Sequence, residues 1–389
     1  MIGKWGEELE QRKNSSIRMF LFLCTIPLII LFGCQHEKDV GVQPVKKHNH
    51  SLGKEAIPHS FISNEIMTPI PIENGQFNTI YGWLNNETII YMTNVGLGSN
   101  VYTYNVFTGD SSLIFESEVP ISSVVPSPSG NYILIHSAPS TYEGIISIIN
   151  PKGEQLMSER ISAYEFAFEW NPYDENLMLI SAFAENWDFS MFQMNIKEKK
   201  FDEIHNKEPF VNWIGKDEII YLNWDQKDVS LFAPLVKKSI NEQNEKMLLE
   251  DVYYAKAAKD LIMTITVNSS ASDEAVYTFL SKDLQELSSF TVPHLTRYSD
   301  WLVPYFDFDA ENQLFTLQPL LSTEADLYRD GFQLWSFDAV KGEKEMVMEN
   351  LKNEPLNCSP DGKYCLYGFN FEKLIDIQSK KVLPLIKDF

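Results

Sequence analysis

Asn357-Cys-Ser-Pro-Asp-Gly-Lys-Tyr-Cys-Leu-Tyr-Gly368 spells a short strand, a Ser-Pro-Asp-Gly turn and a second strand. Pro360 fixes φ at the first central position of the turn and Gly362 supplies the left-handed conformation that follows, so Cys358 and Lys363 fall on two arms of a hairpin. The pattern recurs at Pro126-Ser-Pro-Ser-Gly-Asn-Tyr-Ile-Leu-Ile135 and, more loosely, at Trp170-Asn-Pro-Tyr-Asp-Glu-Asn-Leu-Met-Leu-Ile180. Trp83, Pro126, Trp170, Trp213, Lys256, Phe308 and Cys358 take the same place in successive units, each ahead of an apolar run such as Thr88-Ile-Ile-Tyr-Met-Thr93 or Ile219-Ile-Tyr-Leu222. Their spacings are 43, 44, 43, 43, 52 and 50 residues.

A period in the low forties with four short strands per unit is the signature of a β-propeller blade. The first unit reads as strands at about 77–83, 88–93, 101–106 and 111–116, the last at about 355–358, 363–369, 372–377 and 381–386. A β-sandwich could use similar strands but has no reason to repeat at this interval. The sequence therefore predicts an all-β propeller of four-stranded blades with seven repeat units, or six if one of the two irregular units, the fifth or the sixth, is not a full blade. Glu65 to Ile72 reads as an additional strand placed to close the ring, since an open array would leave two sheet edges unpaired.

The chain of 389 residues is 44% hydrophobic and 13% aromatic, ample for a large core. Its formal charge of -22 argues against nucleic acid and against an electrostatic grip on anionic lipid, and leaves cations, basic proteins and uncharged polymers as partners. Four cysteines are too few for a disulfide scaffold.

Lys4, Arg12, Lys13 and Arg18 precede an apolar run from Met19 to Phe32, too short to span a bilayer comfortably but suited to the core of a signal peptide. The run ends Leu31-Phe32-Gly33-Cys34, which resembles the lipobox of bacterial lipoproteins, where the cysteine receives a diacylglyceryl group and becomes the new N-terminus. Two acyl chains give stable anchoring where one is marginal. Residues 1–33 are thus expected to be a lipoprotein signal peptide, residues 34–64 a polar flexible tether, and residues 65–389 the propeller. Loss of 1–33 removes four basic and three acidic residues and leaves a net charge of -23. His48 and His50 lie in the tether, without the fixed further ligands that a metal site needs.

Lipobox, tether and a propeller with degenerate Trp or Ser-Pro-Asp-Gly repeats resemble the YqgU-like propeller lipoproteins of Gram-positive bacteria. That resemblance implies a six-bladed propeller on the outer, extracytoplasmic face of the cell membrane. It implies no catalytic residue, because the shared motifs are structural and the family has no assigned activity.

In a propeller the loops from second to third strand, and from one blade to the next, gather on one face, where a rigid scaffold usually carries function. The second-to-third loops place aromatic rings beside carboxylates. Tyr142, Trp187 and Trp224 could stack on a sugar ring or an apolar side chain, and Glu143, Asp188 and Asp225 could engage hydroxyls or cations. Tyr328 and Arg329 belong to the same set in the sixth unit. The competing reading is that these rings pack on neighbouring loops and the acids are simply solvated.

No nucleophile elbow, zinc-protease helix, phosphate loop or dinucleotide fingerprint is present, so no catalytic residue, cofactor or metal ligand is assigned. Asp307-Phe-Asp-Ala-Glu311 alternates carboxylates but lacks the glycine and closing glutamate of a calcium loop, and reads as a strand end followed by an acidic turn. Cys358 and Cys365 face each other if Asp361-Gly362 alone forms the turn, and do not if Pro360–Gly362 forms a bulged three-residue turn. Proline favours the second geometry, which gives two buried free thiols. The expected function is a membrane-anchored binding or scaffolding module for an envelope protein or glycan. The alternative is an envelope-acting hydrolase or lyase using Glu143, Asp188 or Asp225 as acid and base.

Overall fold

A computed structural model describes residues 65–224, 230–242, 244–267, 273–298 and 300–387. The expected leader, Cys34, the tether and Asp225 lie outside the described residues. Seven four-stranded antiparallel sheets follow one another along the described chain, each a simple meander in strand order 1-2-3-4. Blade 1 comprises Gln76–Trp83, Thr88–Val95, Gly98–Asn105 and Ser111–Ser117. Blade 7 comprises Leu356–Cys358, Tyr364–Tyr367, Lys373–Asp376 and Lys381–Pro384. Both sets fall within a few residues of the strands read from the sequence.

The second strands explain why the sheets stack. Successive side chains of a strand point to opposite faces, and in Thr88–Val95 Ile89 and Tyr91 pack into one apolar cluster while Ile90 and Met92 pack into another. Leu134 separates from Ile133 and Ile135 in the same way, and Ile220 from Ile219 and Tyr221. A strand buried on both faces needs an unbroken apolar run, which is what the repeat supplies. Each cluster is shared by two neighbouring blades. There are seven such clusters, and one of them joins Ile89 and Tyr91 of blade 1 to Leu366 and Leu374 of blade 7, so the ring closes.

Closure does not use the extra strand expected over Glu65–Ile72. That segment forms no strand and joins no sheet. It acts as a clasp instead: Met67 donates to the Val106 carbonyl of blade 1 at 2.7 Å, Ile70 to the Leu385 carbonyl of blade 7 at 2.8 Å, and Ile66 and Ile70 are buried between the two. Ile80 adds a bond to the Asn370 carbonyl at 3.0 Å.

The long spacings of the fifth and sixth units arise from an inserted three-stranded sheet. Leu295–Thr296 and Trp301–Leu302 come from the connection between blades 5 and 6, and Thr323–Glu324 from the second-to-third loop of blade 6. Both units are nevertheless full blades. In blade 5, Ala257 pairs with Ile262 as Trp213 pairs with Ile219, so the equivalent position is Ala257 and not Lys256.

Cys358 and Cys365 are joined by a disulfide, against the expectation of free thiols. Ser359 donates to the Tyr364 carbonyl at 2.7 Å and Gly362, at φ 66°, to the Ser359 carbonyl at 2.8 Å. Four residues, Pro360–Lys363, thus form the loop. Pro360 keeps its turn position, and the extra residue restores the register that sets the two cysteines directly opposite.

Candidate functional site

The first strands of successive blades lie beside one another and form the hub. One layer of it consists of the residue before each repeat position: Gly82, Val125, Glu169, Asn212, Lys256, Asp307 and Asn357 occupy the same register against their second strands. These residues link blade to blade. The indole N–H groups of Trp83, Trp170 and Trp213 donate to the carbonyls of Asn357, Val125 and Glu169 in the preceding blade at 3.0, 3.3 and 3.2 Å. Side chains of the preceding blade serve as acceptors too: Asn212 accepts the Ala257 N–H at 3.2 Å and Asp307 accepts the Cys358 N–H at 2.7 Å. The recurring tryptophans are therefore hub fasteners and not ligand contacts.

Charge in this layer is concentrated on blades 3, 5 and 6. Burial pushes the Glu169 carboxyl up, and Lys256, 3.8 Å away, offsets part of that. Burial lifts Asp307 to about 6 against the pull of the Cys358 N–H. Asp309, at the start of the acidic turn, accepts the Glu311 and Gln313 N–H groups at 2.8 Å, which is a turn and not a calcium loop. Among the described residues no cluster of three or more His, Cys, Asp or Glu could hold a metal ion.

In a meander the second-to-third loops and the connections between blades emerge at the same end. Among the described residues, large apolar side chains are exposed there at Leu97, Tyr142, Trp187, Phe210, Trp224, Tyr305, Leu327 and Phe369, spread over six blades and their connections. Two adjoining cavities open on this face at blades 3 and 4. The inner one, of about 400 Å³, reaches Glu169 and Lys256 of the hub and is walled by Phe168, Phe210 and Trp224. The outer one, of about 570 Å³, lies between Trp187, Asp188, His205 and Trp224. Glu208 and Trp224 border both.

The structure brings Trp187, Asp188 and Trp224 together at the outer cavity, as a shared ligand face requires. Trp187 is 68% exposed at the tip of a tight turn, where its N–H donates to the Ala184 carbonyl and its ring meets the edge of Phe183 at 6.1 Å. Its φ of 67° is left-handed, a conformation that bulky side chains rarely adopt. Asp188 accepts the Asn186 side-chain amide at 2.7 Å. Tyr142 is exposed one blade away, edge-on to Tyr164 at 4.9 Å, and Glu143 is held by Arg160 at 2.7 Å.

Tyr328 does not belong to the face. It is buried, donates to the Gly331 carbonyl and accepts the Leu320 N–H, both at 2.9 Å, and packs on Phe332. A phenol in that position holds the long loop of blade 6 in shape. Arg329 donates to the Tyr328 carbonyl at 2.8 Å and lines a separate depression beside blade 7.

Glu208 and Phe210 are the residues that the sequence reading passed over. They sit in the connection from blade 3 to blade 4, His205-Asn-Lys-Glu-Pro-Phe-Val211, one of the inter-blade loops that share the face with the second-to-third loops. Its carboxylate-Pro-aromatic run, between two strand signals, was the available clue. Glu208 accepts the Trp224 N–H at 3.2 Å, and burial pushes its carboxyl up. Phe210 is 67% exposed and stacks on Phe183 at 5.6 Å.

Comparison with known proteins agrees with this architecture. The chain is 28% identical over 342 residues, 87% of its length and 92% of the relative's, to the uncharacterized lipoprotein YqgU of Bacillus subtilis strain 168. It is similar in structure to the uncharacterized protein lmo1340 of Listeria monocytogenes EGD-e, with TM-score 0.76, 23% identity, and 83% and 98% of the two chains covered. A prolyl endopeptidase structure shares the fold at TM-score 0.53 and 11% identity, over 80% of this chain and 49% of that one. Residues 105–368 match the pattern described as the YqgU-like 6-bladed beta propeller domain. That span takes in blades 2 to 6 whole and only parts of blades 1 and 7, while the described chain has seven four-stranded sheets. The chain belongs to the family of YqgU-like propeller domains.

Proposed function

We propose that this chain is an extracytoplasmic lipoprotein, anchored through Cys34, whose propeller binds an envelope protein or glycan on its loop face. The observation that carries the reading is the set of exposed aromatic and aliphatic side chains collected at one end of the ring, with Trp187 and Trp224 framing a cavity. Trp187, Phe210 and Trp224 line adjoining cavities there, and exposed apolar surface that is contiguous marks interaction sites. The match to a lipoprotein supports the anchor. The face lies on loops held by a closed hub, an arrangement suited to recognition.

The test is an unbiased crosslinking capture from membranes, comparing the wild type with a folded Trp187→Ala, Trp224→Ala double variant. Material recovered by the wild type and lost by the variant supports a binding face. Equal recovery by both, or none by either, removes it.

A further inference from the structure

We propose that the inner cavity takes a primary ammonium group, seated on the carboxylate of Glu208 between the rings of Phe210 and Trp224. The inference rests on the reading of the loop face as a binding surface and names the chemistry that it recognises.

Among the described residues the carboxylate of Glu208 has no counter-ion. The protein donor on its carboxylate is the Trp224 backbone N–H at 3.2 Å, and among the described residues no cation comes within ion-pair reach of it. The neighbouring cations among the described residues are engaged elsewhere. Lys207 pairs with Glu245 at 2.8 Å, and Lys256 turns to Glu169 at 3.8 Å. Lys238 is buried on the His205 carbonyl and the Asn206 amide at 2.9 and 3.3 Å. A half-buried carboxylate without a cation is unfavourable and gains from one delivered by a ligand, which is consistent with the upward push that burial gives its pKa.

The walls fit the same guest. Phe210 is held by its stack on Phe183, and Trp224 by the bond that also fixes Glu208. Exposed aromatic faces beside a carboxylate attract a cation through their quadrupoles and cover the carbon body that carries it. A cavity of about 400 Å³ holds a single sugar or a long aliphatic side chain, and the outer cavity, which shares Glu208 and Trp224 with it, leaves room for the rest of a polymer. The acidic balance of the whole chain, -22, draws cationic groups toward it. Two sources carry such a group: an unacetylated amino sugar and a lysine side chain.

Full-length protein in detergent micelles is titrated, by tryptophan fluorescence and calorimetry, with a glucosamine tetrasaccharide, its N-acetylated form, Nα-acetyl-lysine methylamide and the Nε-acetylated form of that compound. At least one free amine is expected to bind, ten-fold or more tightly than its acetylated counterpart. Glu208→Gln and Phe210→Ala should each weaken it by at least ten-fold, and Glu208→Asp by less, with near-ultraviolet circular dichroism confirming the fold of each variant. Preference for the sugar or for the lysine compound identifies the source. Equal binding of acetylated and free forms, no binding of either amine, or an unchanged affinity in Glu208→Gln overturns the proposal. If crosslinking capture on the face still depends on Trp187 and Trp224 while amine binding fails, the ammonium assignment alone falls.

Discussion

The carboxylate of Asp307 in blade 6 accepts the backbone N–H of Cys358 in blade 7 at 2.7 Å, and the neutral amide of Asn212 makes the corresponding bond from blade 4 to Ala257 of blade 5. The hub thus performs one task with a charged group in one place and an uncharged one in another. Burial lifts Asp307 from 3.8 to about 6, so the folded state holds its proton more tightly than the unfolded chain does. The stability that this group contributes is fully present below the ordinary carboxylate range, declines as pH rises and is lost above about 6. Asp307→Asn keeps the acceptor and removes the charge. It is expected to stabilise the fold at pH 7 by on the order of 2 kcal/mol and to be nearly neutral at pH 4. Urea unfolding at both values checks this; a variant weaker at pH 7 would mean that the charge is needed opposite Lys256.

The disulfide between Cys358 and Cys365 closes a short loop inside blade 7, the blade that completes the ring. Constraining the unfolded chain over so few residues is worth about 2 kcal/mol. The Cys358→Ser, Cys365→Ser variant should lose about that much in chemical denaturation. Maleimide labelling of the denatured, unreduced protein should leave both positions unmodified, and labelling of both would show that they are thiols.

Trp213 is fully buried between blades 3 and 4 and donates to the Glu169 carbonyl. Trp213→Phe removes that donor and part of the ring volume. A loss of about 2–3 kcal/mol is expected, from the unpaired carbonyl and the cavity together. A change below about 0.5 kcal/mol, within the range of ordinary surface substitutions, would show that the indole bonds do not fasten the hub.

The periodicity was enough to reveal the ring because both faces of each second strand are buried, and the apolar runs that this demands stand out at a fixed interval. What escaped the sequence depends on single-residue register or on contacts between distant loops. The turn at Pro360–Lys363 has one residue more than the bulged alternative, and that residue alone decides whether Cys358 meets Cys365. Spacing points to Lys256 where the register points to Ala257, because a hub strand with no tryptophan offers no landmark. Glu208 and Trp224 lie just beyond the ends of the first hairpin of blade 4, and meet only where its register, Asn212 against Ile220 and Trp213 against Ile219, is carried outward into the loops. Tyr328 looked like its aromatic neighbours in composition, and only the path of its loop shows the ring turned inward.

Trp187 separates stability from function most cleanly. Its left-handed φ of 67° costs an L residue roughly 1–2 kcal/mol, and glycine would remove that cost. Against this stand about 0.5–1 kcal/mol for the added freedom of a glycine in the unfolded chain and the loss of an exposed edge contact with Phe183. These contributions nearly cancel, so Trp187→Gly is expected to leave the stability within about 0.5 kcal/mol of wild type, unlike Trp213→Phe. An unchanged stability would mean that the ring, mostly in water, does not hold the fold, and would leave it to the proposed binding face. Partner capture by the loop face should fall to background in this variant while its thermal midpoint stays in place. Should stability drop by several kcal/mol instead, the indole is a packing group, and its exposure says nothing about a ligand.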